Sequence, residues 1–209
     1  MNSDRVVCRW LLIQKFSLLL ASCAALFCGI AACGSETETI TWKEEVALHN
    51  GKSIVVTRSV TLGGIRREIG QGPGASMNTL SFAAPDGRQI RWENPGRLTL
   101  MILDFRSGVP YLATMPSMIT DFARYKCPAP GYVFFRYGDD WQRIEYKDYP
   151  AEFRKSNMVI STKKHGPEMR NRIVSASEVS ERNGDLDRDY REVNPNSHSP
   201  EGCEDTTFW

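Results

Sequence analysis

Few residues in this chain have the type and spacing to do chemistry. Asp139-Asp140 with Glu145 could supply the paired carboxylates of glycoside hydrolysis. A doublet beside Gly138 reads instead as turn chemistry, because short acids bond to their own backbone. Ser76 and Ser117 are candidate nucleophiles, yet neither lies in Gly-x-Ser-x-Gly. His49, His165 and His198 form no HxxxH or HExxH pattern, so no zinc site is predicted and each is expected on a solvated surface. The stretch from Gly70 to Ser76 lacks the Lys-Ser/Thr of a phosphate loop, and Pro73 removes an N–H that would cradle an anion. It is read as a plain loop. No catalytic residue, cofactor or metal is assigned, and the expectation is a protein that is not an enzyme.

The cysteines are more informative. Arg5, Arg9 and Lys15 precede an uncharged apolar run from Phe16 to Ala32, the order of an export signal. That run is short for a membrane-spanning helix and includes Ser, Cys and Gly. It ends in Ile30-Ala31-Ala32-Cys33, which resembles the lipobox of bacterial lipoproteins. The resemblance implies that the Cys33 thiol takes a diacylglycerol, that residues 1–32 are removed and that Cys33 becomes the first residue. Ile30 stands where Leu is commonest; Cys28, by contrast, follows the bulky Phe27. Several acyl chains, each adding about 0.8 kcal/mol per buried CH2, would hold such a protein on a membrane. Gly34 rather than Asp after the cysteine implies the periplasmic face of the outer membrane, in preference to the inner. The rest of the chain is similar only to uncharacterised proteobacterial lipoproteins, which implies no activity.

Beyond the leader, Cys127 and Cys203 remain. Two thiols in an oxidising compartment suggest one disulfide, worth about 4–5 kcal/mol on the chain-entropy account. Against it, Cys203 lies in a polar tail, so the pairing stays open.

The elements that would position these residues read as strands and tight turns. The chain has 209 residues and a formal charge of only +1, which argues against a nucleic-acid partner. ITWKEEVAL alternates with Ile40, Trp42, Val46 and Leu48 on one face. Asn50-Gly51 then predicts a two-residue hairpin. SIVVTRSVTL turns Ile54, Val56, Val60 and Leu62 inward and Ser53, Thr57, Ser59 and Thr61 outward. Further turns are expected at Asp86-Gly87, Ser107-Gly108 and Gly138-Asp139.

In LTLMILDF, period 2 puts Leu98, Leu100 and Ile102 on one face and Met101, Leu103 and Phe105 on the other. An apolar strand of this kind is covered on both sides. Ser175 and Glu178 have capping-box spacing and predict a helix with Val179, Leu186 and Tyr190 on one stripe, weakened by Gly184. The expected fold is mainly β, an antiparallel meander of about eight strands closed as a barrel or stacked as a sandwich, with a C-terminal helix. Its divisions are a signal over 1–32, a lipidated tether over 33–39, a β domain over 40–165, a helical extension over 166–194 and a polar tail over 195–209.

Two surfaces are candidates for binding. Arg58, Arg66, Arg67, Arg88, Arg91 and Arg97 could face an anionic envelope glycan, although acids are interspersed and a solvated face is the plainer reading. Tyr132, Phe134, Tyr137, Trp141 and Tyr146 crowd one hairpin and could line a groove for sugar or peptide, with core packing the alternative. The functional expectation is a membrane-anchored, periplasm-facing module that binds an envelope protein or glycan. An inhibitor or immunity-type protein and a cell-wall hydrolase are the alternatives.

Overall fold

The computed structural model describes residues 37–63, 75–95, 97–160 and 167–205. Cys33, the leader, Arg66, Arg67, His165 and residues 70–74 lie outside the described residues. The fold is mainly β, with nine strands in two sheets and no closed barrel.

One sheet contains β1 (Glu38–Ala47), β2 (Ser53–Leu62), β3 (Ala75–Ala83), β4 (Gln89–Asn94) and β9 (Ile173–Val174), in the order β4-β3-β2-β1-β9. The other contains β5 (Leu98–Arg106), β6 (Val109–Pro116), β7 (Val133–Tyr137) and β8 (Trp141–Ile144), in sequence order. All neighbours are antiparallel except β1 and β9. Short helices α1 (Ile119–Arg124), α2 (Ala176–Gly184) and α3 (Arg188–Arg191) complete the elements used below. Among the described residues, no helix is long and apolar enough to cross a membrane.

The two sheets bury different amounts of themselves, and the sequence explains why. The first sheet has one apolar face. Val46, Val56, Leu80, Phe82, Ile90 and Trp92 point inward, while Thr39, Thr41, Thr57, Ser59, Thr61 and Thr79 occupy the other pleat. Hydroxyl pairs tie this outer face across strands, Thr39 to Thr61 at 3.0 Å and Ser59 to Thr79 at 2.6 Å. The second sheet is covered on both sides. Leu98, Leu100, Leu103, Phe105, Leu112 and Val133 face the first sheet. Met101, Ile102, Tyr111, Ala113 and Phe134 face Tyr149, Phe153, Ile160, Val193 and Cys203 from the chain after β8.

Strict alternation fails inside β5. Leu100 pairs with Thr114 and Ile102 with Ala113, leaving Met101 as an inserted residue. A β-bulge of this kind shifts the phase by one residue. Ile102 therefore turns outward beside Met101, while Leu103 and Phe105 turn inward, the reverse of the predicted faces. The bulge has a use: the Met101 carbonyl accepts from Asn157 N at 3.1 Å and from Met158 N at 3.3 Å. It thereby docks the chain that seals this edge.

The C-terminal region supplies β9 to the first sheet, where Lys43 pairs with Ile173 and Glu44 with Val174. Ser175 caps α2, its Oγ accepting from Glu178 N at 3.3 Å, but the helix ends at Gly184. Glycine is the poorest helix former after proline. Leu186 and Tyr190 consequently lie beyond the helix that carries Val179. The polar tail is irregular yet docked. Ser199 Oγ donates to Pro128 O at 2.8 Å, Gly131 N donates to Ser197 O at 3.2 Å, and Cys203 is joined to Cys127 with a Cα separation of 6.0 Å. A side chain at Gly131 would meet the His198 carbonyl oxygen at 3.1 Å, so the close approach selects glycine.

Candidate functional site

The turn between β1 and β2 builds the site. Leu48 N donates to Lys52 O at 2.8 Å and Gly51 N to Leu48 O at 3.0 Å, so the loop is His49-Asn50-Gly51. It is a three-residue turn, not the predicted two-residue one, with positive φ at Gly51 (79°) and not at Asn50. The extra residue takes His49 out of the ladder and leaves its N–H in need of an acceptor. Asp104, on β5 of the opposite sheet, supplies it.

Asp104 accepts from His49 N at 2.8 Å through Oδ2, and its Oδ1 lies 2.7 Å from His49 Nδ1. The same Oδ1 accepts from Phe105 N at 2.7 Å. Asp104 is buried, whereas the His49 side chain keeps 34% of its surface open. The imidazole lies against the Phe153 ring, 4.7 Å between centroids. A carboxylate accepts only, so in the neutral ring the proton belongs on Nδ1, and the Nε2 lone pair has no partner among the described residues. His49 is exposed, as predicted, and its imidazole is oriented by Asp104. His198 is exposed, as expected.

His49 and Asp104 line a cleft of about 400 Å³ with Arg154, Lys155, Ser156 and Asn157. Asn157 closes the cleft's floor by bonding like a missing strand. Its Oδ1 accepts from Leu103 N at 3.1 Å, and its Nδ2 donates to Leu103 O and to Ala47 O, both at 2.9 Å. One side chain so ties β5 of one sheet to the end of β1 in the other. Behind Phe153 lies Tyr149, 6.0 Å between centroids. Burial first, then the charges of Asp104 and Glu152, push its phenol well above the usual range, so the ring stays neutral.

A second acid–base pair lies inside the sandwich. Arg58 Nη1 donates to Glu44 Oε1 and Oε2 at 3.1 and 3.2 Å and to the Val159 carbonyl at 2.7 Å. Trp42 Nε1 donates to Glu44 Oε2 at 2.9 Å, and the guanidinium carbon lies 5.1 Å from the Trp42 ring centre. Arg58 is therefore withdrawn from the arginines proposed to face a glycan. Arg88 pairs with Asp86, Arg91 with Glu93 and Arg97 with Asp121, so these too are committed locally.

The aromatic hairpin divides. Tyr132 and Phe134 are 1% and 2% exposed and belong to the core. The reason is the C-terminal cover: Tyr132 Oη donates to Asp189 O at 2.9 Å, and Phe134 packs on Tyr149 at 4.5 Å. Tyr137 and Trp141 are half-buried and pack against the inter-sheet core, with Trp141 Nε1 donating to Arg91 O at 2.9 Å across to β4. Trp141 is a closure of the sandwich edge. Tyr146 is half-buried and packs on Phe134 at 5.5 Å; with Tyr132 and Phe134 at its base it lines a second hollow, of about 590 Å³, beside Cys127.

The remaining sequence candidates do not assemble into a site. Ser117 is exposed, its Oγ 3.3 Å from Thr99 Oγ1. Ser76 lies on β3 of the first sheet, whereas Ser117 follows β6 of the second. Asp140 Oδ1 accepts from Trp141 N at 2.7 Å, which is turn chemistry, and Asp139 and Glu145 are exposed. Among the described residues no group of three His, Cys, Asp or Glu side chains could hold a metal ion. Sequence reasoning missed Asp104, Glu44 and Asn157. Asp104 carried a signal, as the lone acid within an apolar strand. Glu44 carried one too, as the inward position skipped between Trp42 and Val46.

Comparison with known proteins yields nothing to carry over: no family model matches the chain, and no curated protein or solved structure matches it significantly.

Proposed function

We propose that this chain is a lipid-anchored, periplasm-facing binding module, held through Cys33 at the outer membrane and contacting a component of the cell envelope through the cleft around His49. The observation that carries the binding role is that cleft. A buried carboxylate orients an imidazole whose Nε2 has no partner among the described residues, at the mouth of a cavity within the size range of ligand sites. The Cys127–Cys203 disulfide supports the compartment, since such bonds persist where proteins are exported. The lipobox-like Ile30-Ala31-Ala32-Cys33 supports the anchor. Of the two partners expected from sequence, an envelope glycan suits a narrow cleft better than a protein, which needs a broad apolar face. The inhibitor or immunity-type alternative has no observation behind it.

A hydrolase is the second reading, and the His49–Asp104 pair is what favours it, in the role of a general base. It falls short of a nucleophile. Two serines line the cleft: Ser156 spends its Oγ on Tyr190 O at 2.5 Å, Ser180 is exposed, and no described serine or threonine bonds to Nε2.

The test is fractionation of cells fed an alkyne fatty acid, with wild type beside Cys33→Ser, followed by co-sedimentation of each purified chain with isolated cell-wall sacculi. Wild type should carry label and fractionate with membranes, the variant should do neither, and both should sediment with the wall. Equal labelling of the variant would remove the anchor; failure of both chains to sediment would remove the glycan.

A further inference from the structure

The charges around the cleft are unevenly committed. Its acids are engaged: Asp104 by His49 N, His49 Nδ1 and Phe105 N, and Glu152 by Arg106 at 3.2 Å. Its cations are not. Arg154 and Lys155, adjacent on the cleft wall and both exposed, have no carboxylate partner among the described residues. Their backbones are fixed all the same, because Val193 N donates to Arg154 O at 2.8 Å and Lys155 bridges to Glu192. Two anchored cations and an open Nε2 thus share one cavity with Leu48 and Val179.

We infer that the cleft is a carboxylate-recognition site, taking a small carboxylic acid with a short apolar body, its oxygens met by Arg154, Lys155 and Nε2 of His49. The inference rests on reading the cleft as the binding site of this module. An arginine presents a planar fork that matches a carboxylate, and a lysine adds a point charge. Nε2 meets a carboxylate oxygen only with one proton on the O···N line between them, because the neutral ring protonated on Nδ1 offers that oxygen a lone pair and no donor. Phosphate is disfavoured. Its second charge would be repelled by the buried Asp104 and by Glu152, whereas a monoanion is offset by two cations. The apolar body is required by Leu48 and Val179 on the lining. Two sources could present such a group, a free small acid or the terminal carboxylate of a wall peptide.

The probes are N-acetylalanine, its neutral amide and inorganic phosphate, titrated calorimetrically into the full chain with the His49 imidazole resonance followed in parallel. His49→Gln identifies that resonance among the three histidines. N-acetylalanine should bind and move it, with the amide and phosphate at least roughly tenfold weaker, the loss expected for a charge-assisted hydrogen bond. His49→Gln and Arg154→Gln should each weaken N-acetylalanine by roughly tenfold on the same ground. Arg154 is exposed, so its variant tests the site even if His49→Gln perturbs folding. Equal binding of acid and amide, equal binding of phosphate, or full affinity in Arg154→Gln would each overturn the inference. Binding of N-acetylalanine by a chain that ignores sacculi would keep the carboxylate site and reject the wall as its source.

Discussion

Two acid–base pairs, Glu44–Arg58 between neighbouring strands of the first sheet and His49–Asp104 between the sheets, differ in what they leave unspent. Glu44 and Arg58 are 0% and 4% exposed at the side chain. Both carboxylate oxygens and the Nη1 group are used, on each other, on Trp42 and on a backbone carbonyl. Asp104 is as deeply buried, but its partner His49 remains a third open, with one ring nitrogen unbonded among the described residues. A closed pair specifies packing and can do little else. An open pair keeps a directed polar atom at a cavity, which is what recognition needs. Burial of an ion pair is therefore a poor guide to function; the unspent valence beside it is a better one.

The largest effect should come from splitting the closed pair. Arg58→Met leaves the Glu44 carboxylate buried without its counter-ion, and removal of one partner of such a pair costs about 3–5 kcal/mol. Glu44→Gln added to Arg58→Met should restore more than half of that loss, because the charge is gone while Trp42 keeps an acceptor. Urea unfolding of the two single variants and the double variant measures this. A double variant no better than Arg58→Met would mean that the pair acts through packing and not through charge.

The open pair should be cheaper to break. Asp104→Asn preserves shape but removes the charge and one acceptor, which is expected to cost about 1–3 kcal/mol. Water reaches the His49 ring and replaces part of what is lost. The same unfolding experiment checks it, and a loss equal to that of Arg58→Met would erase the contrast between the two sites.

Both pairs bear on how much could be read from sequence. The strands, the turn positions and the need to cover β5 on both faces followed from period 2 and from Gly-containing turns, local signals that tertiary structure seldom overrides. Glu44 and Arg58 stood in phase with the inward residues of their strands, so their burial was legible to anyone who trusted the period over the charge. Asp104 was half legible. An acid in an apolar strand must find a donor, but no local rule names a histidine 55 residues earlier in the chain. The bulge at Met101 was not legible, because its reason lies in the Asn157 and Met158 amides that bind the displaced carbonyl. The aromatic hairpin misled for a related reason. Whether Tyr132 and Phe134 face solvent depends on a C-terminal segment whose own pattern is weak, and on a disulfide that holds it down.

The smallest effect lies behind the open pair, at Tyr149. Its hydroxyl is buried without a hydrogen-bond partner among the described residues, and its phenol is held well above the usual range by burial and by the Asp104 and Glu152 charges. Tyr149→Phe should therefore match the wild type near neutral pH or exceed it by up to about 1 kcal/mol, since no bond is lost. The two should separate in alkali. A group whose pKa is raised by folding contributes stability that is intact below the unfolded value, about pH 10 for a tyrosine. That contribution is lost above it, where the unfolded chain releases its proton first. Wild-type stability should fall as pH rises beyond about 10, and the Phe variant should fall less steeply. Tyr132, raised by its own burial, keeps some slope in both. Unfolding midpoints at neutral pH and through the alkaline range decide the matter. Parallel curves would mean that the Tyr149 phenol ionises alike in the folded and unfolded chain, and a large loss at neutral pH would show that its hydroxyl holds this wall of the cleft.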